Sequence, residues 1–382
     1  MPHPAGRALP QARGHRVHPV CDGTCSPPCR RVCNRGSQPQ CRPAERMRRV
    51  AAGRRHAADL PAFGARCQLA AHGRIGPIMT NRFEAPLAAW YVASARDLPW
   101  RRPGVGAWPI LVSEFMLQQT PVARVLPAYE AWLARWPTAA ALASATPADA
   151  VRQWGRLGYP RRALRLHACA EVIAARHDGR VPDSLAALRA LPGVGAYTAA
   201  AVASFAFGQR QPVLDTNVRR VLARLVAGRE LAGRNSASVA ETKLAESLLP
   251  PAEANRAPTW SAALMELGAL VCTATKPACD SCPVAGDCAW RLGGSPASTA
   301  PRSTQRYEGS DRQCRGAMLA VLRNAPGPVP AAALDACWPD SGQRTRVLAA
   351  LISDGLASAY RHDLIGLPGD SLASTGHQSM IT

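Results

Sequence analysis

Between residues 107 and 290 the apolar positions recur every three or four residues, interrupted by short polar breaks, which is the period of helices that bury one face. The pattern predicts helices over 107–117, 122–136, 147–154, 161–177, 184–190, 197–207 and 217–226. Residues that stop and start helices sit in the breaks, as in Trp136-Pro137-Thr138 and Val181-Pro182-Asp183. No stretch alternates apolar and polar residues for long enough to argue a strand, so the region reads as all-α. A polar linker follows over 291–312. Beyond it, three short helices (314–323, 331–338 and 342–353) precede two brief apolar stretches near 356–360 and 364–367. Three helices and a small hairpin make 313–368 a small winged-helix-like module, and 369–382 reads as a frayed tail.

The first 78 residues break this pattern. They are rich in Pro, Gly and Arg without apolar periodicity and are expected to be disordered. Met79 opens the first globular-looking segment and is a candidate for the true start. Six of the 13 cysteines lie in this extension (Cys21, Cys25, Cys29, Cys33, Cys41 and Cys67), at spacings that match no zinc pattern. The formal charge of +20 suits a polyanionic partner such as nucleic acid. Its distribution weakens that inference, because the extension alone holds 14 Arg against three acidic residues. The chain has 44 Arg and only two Lys, Lys243 and Lys276. Guanidinium groups suit phosphate contacts, although a GC-rich gene produces the same bias. No apolar run reaches the length of about 18 residues that a membrane span needs. With no secretory h-region either, a reduced, cytoplasmic, nucleoid-associated protein is expected.

Four constellations carry chemistry. The first is Cys272-x6-Cys279-x2-Cys282-x5-Cys288, four thiols within 17 residues. Zinc sites are usually built from CxxC pairs and only one is present, so a four-cysteine iron–sulfur cluster is the stronger of the two alternatives. The second is the run from Leu191 through Pro192, Gly193, Val194, Gly195, Ala196, Tyr197 and Thr198 to Ala199. Two glycines one residue apart permit a tight hairpin whose N–H groups face outward just before a helix, a phosphate-binding array; an ordinary interhelical turn has the same composition. Third, Asp215 stands immediately before a helix, where it is a natural N-cap. Fourth, Glu114 lies in a helix apolar nearly all round, on the face of Ile110, Leu111 and Leu117. Buried there it has the raised pKa of a general acid; turned to a rim it is an ordinary solvated carboxylate.

Spanning about 80–290, these motifs together resemble the helix–hairpin–helix DNA glycosylases of the endonuclease III superfamily. Within it, residues 113–120 (SEFMLQQT) resemble the SEVMLQQT segment of the adenine-specific MutY type. The resemblance implies an all-α fold of two helical domains: a six-helix barrel over about 106–212, and an iron–sulfur domain from about 79–105 plus 213–290. It implies a 4Fe–4S cluster on Cys272, Cys279, Cys282 and Cys288. The implied partner is double-stranded DNA carrying adenine opposite 8-oxoguanine or guanine, bound by a monomer with the target nucleotide flipped out. Glu114 corresponds to the acid that protonates adenine N7 and later places water. Asp215 corresponds to the carboxylate that stabilises the cationic sugar, with Tyr197 and Asn217 as supporting groups. Gln119 and Thr120 correspond to residues that fill the vacated stack and contact the opposite 8-oxoguanine, and Gln118 belongs with them to the DNA-binding set. Leu191, Gly193, Val194, Gly195 and Thr198 belong to the DNA-binding hairpin. Arg96, Leu98, Trp100 and Arg101 correspond to the edge of the adenine pocket.

Several departures qualify the resemblance. Tyr197 stands where the bifunctional branch has a Schiff-base lysine, and neither lysine of this chain is near the hairpin, so a monofunctional enzyme is implied. Thymine-mismatch glycosylases of this fold share the tyrosine but lack the glutamate that Glu114 matches. Ala262 occupies a position where many relatives have a Glu or Gln that hydrogen-bonds adenine, and Pro160 interrupts a usual Gly-Tyr-Tyr, leaving Tyr159. The C-terminal segment is too short for the NUDIX-like domain that many MutY proteins use to recognise 8-oxoguanine. Two other readings stand beside the main one: a glycosylase–lyase for oxidised pyrimidines, and a non-catalytic iron–sulfur DNA-binding protein.

Overall fold

The computed structural model describes residues 77–232, 236–297 and 306–371. The extension expected to be disordered lies outside them except for its last two residues, as do its six cysteines, part of the 291–312 linker and most of the tail. Two hydrophobic cores organise the chain. The first is built by Ala107–Leu117 (α2), Val122–Arg135 (α3), Ala139–Ala143 (α4), Pro147–Trp154 (α5), Arg161–Arg176 (α6), Leu185–Ala190 (α7) and Ala196–Phe207 (α8). The second joins Pro77–Ser94 (α1) to Thr216–Leu225 (α9), Val239–Ser247 (α10) and Ala257–Leu270 (α11), and it ends under the loop that holds the four spaced cysteines. The short helix Ala289–Leu292 (α12) closes that loop.

The helices begin where side chains can cap them. Thr138, Ser184 and Asp215 each accept the N–H three residues on, and Thr146 with Asp149 and Ser238 with Glu241 form reciprocal capping boxes. This is why α7 and α9 start one residue after Ser184 and Asp215, which remain outside the helix as caps. Within the first core, Trp132 meets Trp136 and Trp154 edge-on, at centroid distances of 4.7 and 5.6 Å. The trio ties α3 to α5. The Ala-rich α8 is small enough to lie directly against α2, and both are buried on nearly all sides.

The C-terminal module runs Asp311–Asn324 (α13), Val329–Pro330 (β1), Ala332–Asp335 (α14), Ser341–Ser353 (α15), Ser358–Tyr360 (β2) and Leu364–Gly366 (β3). The sheet order is β1-β3-β2, all antiparallel, with Val329 opposite Ile365 and Ala359 opposite Ile365 on the other side. That order of helices and strands is a winged helix. Its helix expected over 331–338 shortens to a single turn, since β1 pairs up to Pro330 and Pro339 follows closely. The module's buried side chains, among them Cys314, Met318, Leu322, Leu351 and Leu367, continue the first core instead of forming a separate one.

Helices α9 and α11 approach most closely at Gly268. A Cβ added there would lie 2.6 Å from Asn217 Cβ and 3.0 Å from its carbonyl oxygen. Gly268→Ala is therefore expected to lower stability by about 1–3 kcal/mol, read as a shifted denaturant midpoint. An unchanged midpoint would mean that the two helices are free to separate.

Candidate active site

Three helices converge on one group of side chains. Glu114 sits in the middle of α2, where residues Ile110 to Met116 are all buried, and it is itself 4% exposed. Burial pushes its carboxyl up to about 7; a hydrogen bond from Tyr197 and the nearby Arg101 guanidinium oppose this, and the charge of Asp215 adds to it. Glu114 Oε2 is buried without a hydrogen-bond partner. Tyr197, in the first turn of α8, is lifted well above the usual phenol range by burial and by both carboxyl groups. It therefore stays protonated and donates.

Asp215 caps α9. Its Oδ1 accepts the Val218 N–H at 2.6 Å and its Oδ2 accepts Asn217 Nδ2 at 2.9 Å. Burial raises its pKa, while these two donors and Arg220 pull it back toward the carboxylate. The positive end of the α9 dipole favours the same ionised form. Asn217 in turn accepts Arg220 Nη2 at 2.7 Å, and Arg220 also donates to the carbonyls of Cys272 (2.8 Å) and Gly268 (2.6 Å). Capping and a place in the site thus coexist in Asp215. Glu114, Tyr197 and Asp215 share one environment.

The RDLPWR segment closes one side. Arg96 reaches Glu266 of α11 through its backbone N–H (3.0 Å), Nε (2.6 Å) and Nη2 (2.9 Å), and Arg101 Nη1 joins the same carboxylate at 2.7 Å. Glu266 is fully buried; burial alone would raise its pKa, but the two arginines hold it down at about 2. Leu98 and Trp100 are buried, with Trp100 packed edge-on against Tyr129 at 5.1 Å. Ala262 lies one turn before Glu266 and is buried too.

The hairpin Leu191–Gly195 packs behind α2. Gly193 has φ +78°, and a Cβ there would lie 2.8 Å from both the Phe115 ring and Arg165 Cβ. Gly195 is the N-cap of α8 and brings no side chain to its first turn. Leu191, Val194 and Thr198 are buried. Thr198 accepts Gln118 Nε2 at 3.4 Å, which joins the end of α2 to the start of α8. Thr120 is buried as well and accepts Arg162 Nη2 at 2.8 Å, so in this structure both threonines turn to partners within the protein. Gln119 between them is exposed and has φ +55°.

Sequence reasoning missed the hub of this surface. Buried Arg162 donates from Nη1 to the carbonyls of Phe115 (2.9 Å), Met116 (2.9 Å) and Gln118 (2.5 Å), capping the C-terminus of α2. Its Nη2 also reaches Gly158 O at 3.1 Å. Tyr159, beside it, has φ +47° and is 55% exposed. A lone Arg at a helix start carries no motif, and only the unpaired carbonyls ending α2 could have pointed to it.

The four cysteines Cys272, Cys279, Cys282 and Cys288 line one cavity together with Arg224, Pro277 and Trp290. Four thiols around one cavity are the donor set of a four-cysteine iron–sulfur centre. Arg224 is 1% exposed and lies over Trp290; its Nη1 is 3.4 Å from Cys272 Sγ and 2.7 Å from Thr273 O. A buried cation beside four thiols favours an anionic thiolate cluster. The residues fit a 4Fe–4S cluster, the cofactor of this module.

Comparisons with known proteins bear on the family and on the cluster domain. A family model described as "HhH-GPD superfamily base excision DNA repair protein" matches residues 112–249, and one described as "Iron-sulfur binding domain of endonuclease III" matches 272–288. The chain is 54% identical over 285 residues to the adenine DNA glycosylase of Mycolicibacterium smegmatis, covering 74% of this chain and 95% of that protein. It is 55% identical over 286 residues to the adenine DNA glycosylase of Mycobacterium tuberculosis (strain CDC 1551 / Oshkosh), covering 74% and 93%. Against the human adenine DNA glycosylase the identity is 41% over 272 residues, covering 68% of this chain and 44% of that protein. Among solved structures, a thermostable thymine-DNA glycosylase matches with a TM-score of 0.51 and 27% identity, over 56% of this chain and 97% of that one.

The raised carboxyl has a consequence for stability. With its folded value near 7 and an unfolded value near 4.5, Glu114 retains its proton more strongly in the folded state. Its contribution is complete below the unfolded value and is lost as pH rises through the folded one. Relative to wild type, Glu114→Gln is therefore expected to gain about 3 kcal/mol between pH 4.5 and pH 8, measured by denaturant unfolding. A pH-independent difference would show that Glu114 is not buried in this way.

Proposed function

The chain belongs to the adenine DNA glycosylases of the helix–hairpin–helix superfamily, base excision repair enzymes with a 4Fe–4S cluster, and on that footing we propose that it excises adenine opposite 8-oxoguanine or guanine. The convergence of Glu114, Tyr197 and Asp215 in one buried site carries the reading, since it supplies an acid and a carboxylate in the same place. In this reading the adenine nucleotide leaves the duplex and enters between the two carboxyl groups. Protonated Glu114 gives its proton to N7. The electron pair of the C1′–N9 bond then passes to the purine, which departs neutral, and the sugar becomes an oxocarbenium ion facing the Asp215 carboxylate. Water adds to C1′ and its proton returns to Glu114. Asn217 orients Asp215, and Tyr197 orients Glu114. Burial raises both carboxyl groups, but Asp215 has the Val218 and Asn217 donors and Arg220 to favour its charged form, so in this reading Glu114 serves as acid and Asp215 as charge stabiliser.

The remaining assignments follow from position. Arg96 and Arg101, fixed by Glu266, with Leu98 and Trp100 behind them, form the edge of the base pocket. Gln119 and Tyr159, exposed on either side of Arg162, face the duplex where the base has left. The backbone of Gly193–Gly195 meets phosphate before α8. When bound, the cluster supplies a cross-link that fixes the loop from Cys272 to Cys288 on α9 and α11; no chemical step needs it. The protein acts as a monomer in the cytoplasm, at the nucleoid. Tyr197 cannot form a Schiff base, and Lys243 and Lys276 lie in α10 and the cluster loop, so strand cleavage is not part of the reaction.

A duplex panel tests the proposal. Adenine paired with 8-oxoguanine, guanine or cytosine is compared with T·G and thymine glycol, scoring base release before and after alkali. Release is expected from the first two, with strand breaks only after alkali and no borohydride-trapped adduct. Glu114→Gln and Asp215→Asn are each expected to slow release by about 10³-fold or more. For wild type the single-turnover rate is expected to fall as pH rises through about 7, as Glu114 loses its proton. Release of thymine glycol with a trapped adduct would replace this reading by the lyase one; intact binding with no release from any duplex would leave a non-catalytic DNA-binding protein.

A further inference from the structure

The C-terminal winged-helix module does not have the charge of a DNA-binding element. Residues 306–371 contain seven Arg against seven Asp and Glu, so no net positive potential draws the module to phosphate. Two of those arginines, Arg344 and Arg346, are paired with the module's own Asp335 and Asp311. Four of its groups, Arg323, the Ala325 carbonyl, Asp354 and Asp370, reach the glycosylase core instead, around the turn between α5 and α6.

That turn, residues 155–160, is held from both ends. At its start, Gly155 has φ +55° and its carbonyl accepts Arg323 Nη1 of α13 at 2.7 Å. At its end, Arg161 Nη1 meets Asp354 Oδ1 at 2.9 Å, and Asp354 Oδ2 is held in turn by Arg315 Nη2 at 2.6 Å. Arg152, in the helix leading into the turn, donates from Nε to Ala325 O at 3.3 Å and pairs with Asp370 at 2.7 Å. Inside the turn, Gly158 O accepts both Trp154 Nε1 (3.0 Å) and Arg162 Nη2 (3.1 Å). At the apex Tyr159 stands exposed, its ring 5.3 Å from the Arg162 guanidinium, in a left-handed conformation that costs a non-glycine residue energy. Such a conformation persists where its surroundings over-determine it.

We propose that the C-terminal module is a positioning device for the 155–160 turn, in which Asp354 and Arg323 fix the ring of Tyr159 against lesion-bearing duplex DNA. The inference rests on the reading that this surface meets duplex DNA. Asp354 and Arg323 are positioning residues that touch neither base nor sugar. The module thus strengthens duplex binding from behind the turn, without a DNA-binding face of its own.

The test is a double-mutant cycle in the full-length, cluster-loaded protein. Duplex affinity is measured by fluorescence anisotropy with A·8-oxoguanine DNA in a Glu114→Gln background, and the single-turnover rate at saturating enzyme is measured without that change. Asp354→Ala is expected to weaken binding about ten-fold, while the saturated rate stays within about two-fold. In a Tyr159→Ala background the same substitution is expected to have no further effect on binding, because both act through one ring. Arg161→Ala removes the partner of Asp354 at a half-exposed position of little stability cost, so it repeats the measurement if Asp354→Ala folds poorly. A loss of equal size with and without Tyr159, or no loss in either variant, overturns the proposal. If wild type releases no adenine from any duplex, the underlying reading fails instead, and that result is independent of the cycle.

Discussion

Helix α2 carries a carboxyl group in its most buried stretch, and everything around the site answers to the free energy of keeping it there. Ionised and unpaired, Glu114 would be unfavourable by several kcal/mol. A salt bridge at this point would relieve the penalty and hold the group as a carboxylate, as two arginines do for Glu266. Glu114 has instead one phenol donor, Tyr197, and one buried oxygen with no partner. The group is left near the middle of its titration, the condition in which a carboxyl both gives and takes a proton at neutral pH. The site forgoes stability at position 114 and keeps reactivity there.

Such a site needs a rigid frame, and arginines provide much of it. Arg162, Arg220 and Arg224 are buried, and each satisfies carbonyl oxygens at a helix end or a loop. Arg162 ends α2 four residues after Glu114. Arg220 links Asn217, the partner of Asp215, to α11 and to the backbone of Cys272. Arg224 spans the start of the cluster loop. A planar guanidinium offers five N–H donors in a fixed fork that can reach several carbonyls at once, against the three of a lysine ammonium on a flexible stem. At these three positions the strong preference of the chain for Arg has a structural use apart from phosphate binding.

Much of the frame was legible in the sequence because it is local. Helix periods, the caps Ser184 and Asp215, and the PGVG hairpin all declare themselves within a few residues. The capping box Ser238–Glu241 was equally local and marks α10, which periodicity alone did not single out. The burial of Glu114 could be read because its own helix is apolar on every side. What escaped was long-range. Glu266 sits 170 residues from Arg96, and nothing near either residue announces the pair. Thr120 and Thr198 look like contact residues in their motifs, yet both turn inward to partners that only the fold brings near. The winged-helix order was visible, but its docking on the 155–160 turn depends on single ion pairs that leave no pattern.

Glu266 also bears on how the pocket distinguishes bases when position 262 is only a methyl group. Ala262 lies one turn before it on α11, so that helix offers no polar side chain of its own at 262. The same helix instead fixes Arg96 and Arg101, whose remaining N–H groups are the polar elements at this edge. A carboxylate held near 2 stays charged throughout the working range and offsets one of the two positive charges beside it. That matters for Glu114, because the Arg101 guanidinium lowers its pKa against the larger effect of burial. Glu266 thus fixes both arginines, and one of them, Arg101, bears on the acid strength of Glu114. If the two arginines edge the base pocket as proposed, a substitution at Glu266 would be expected to move recognition and acid strength together.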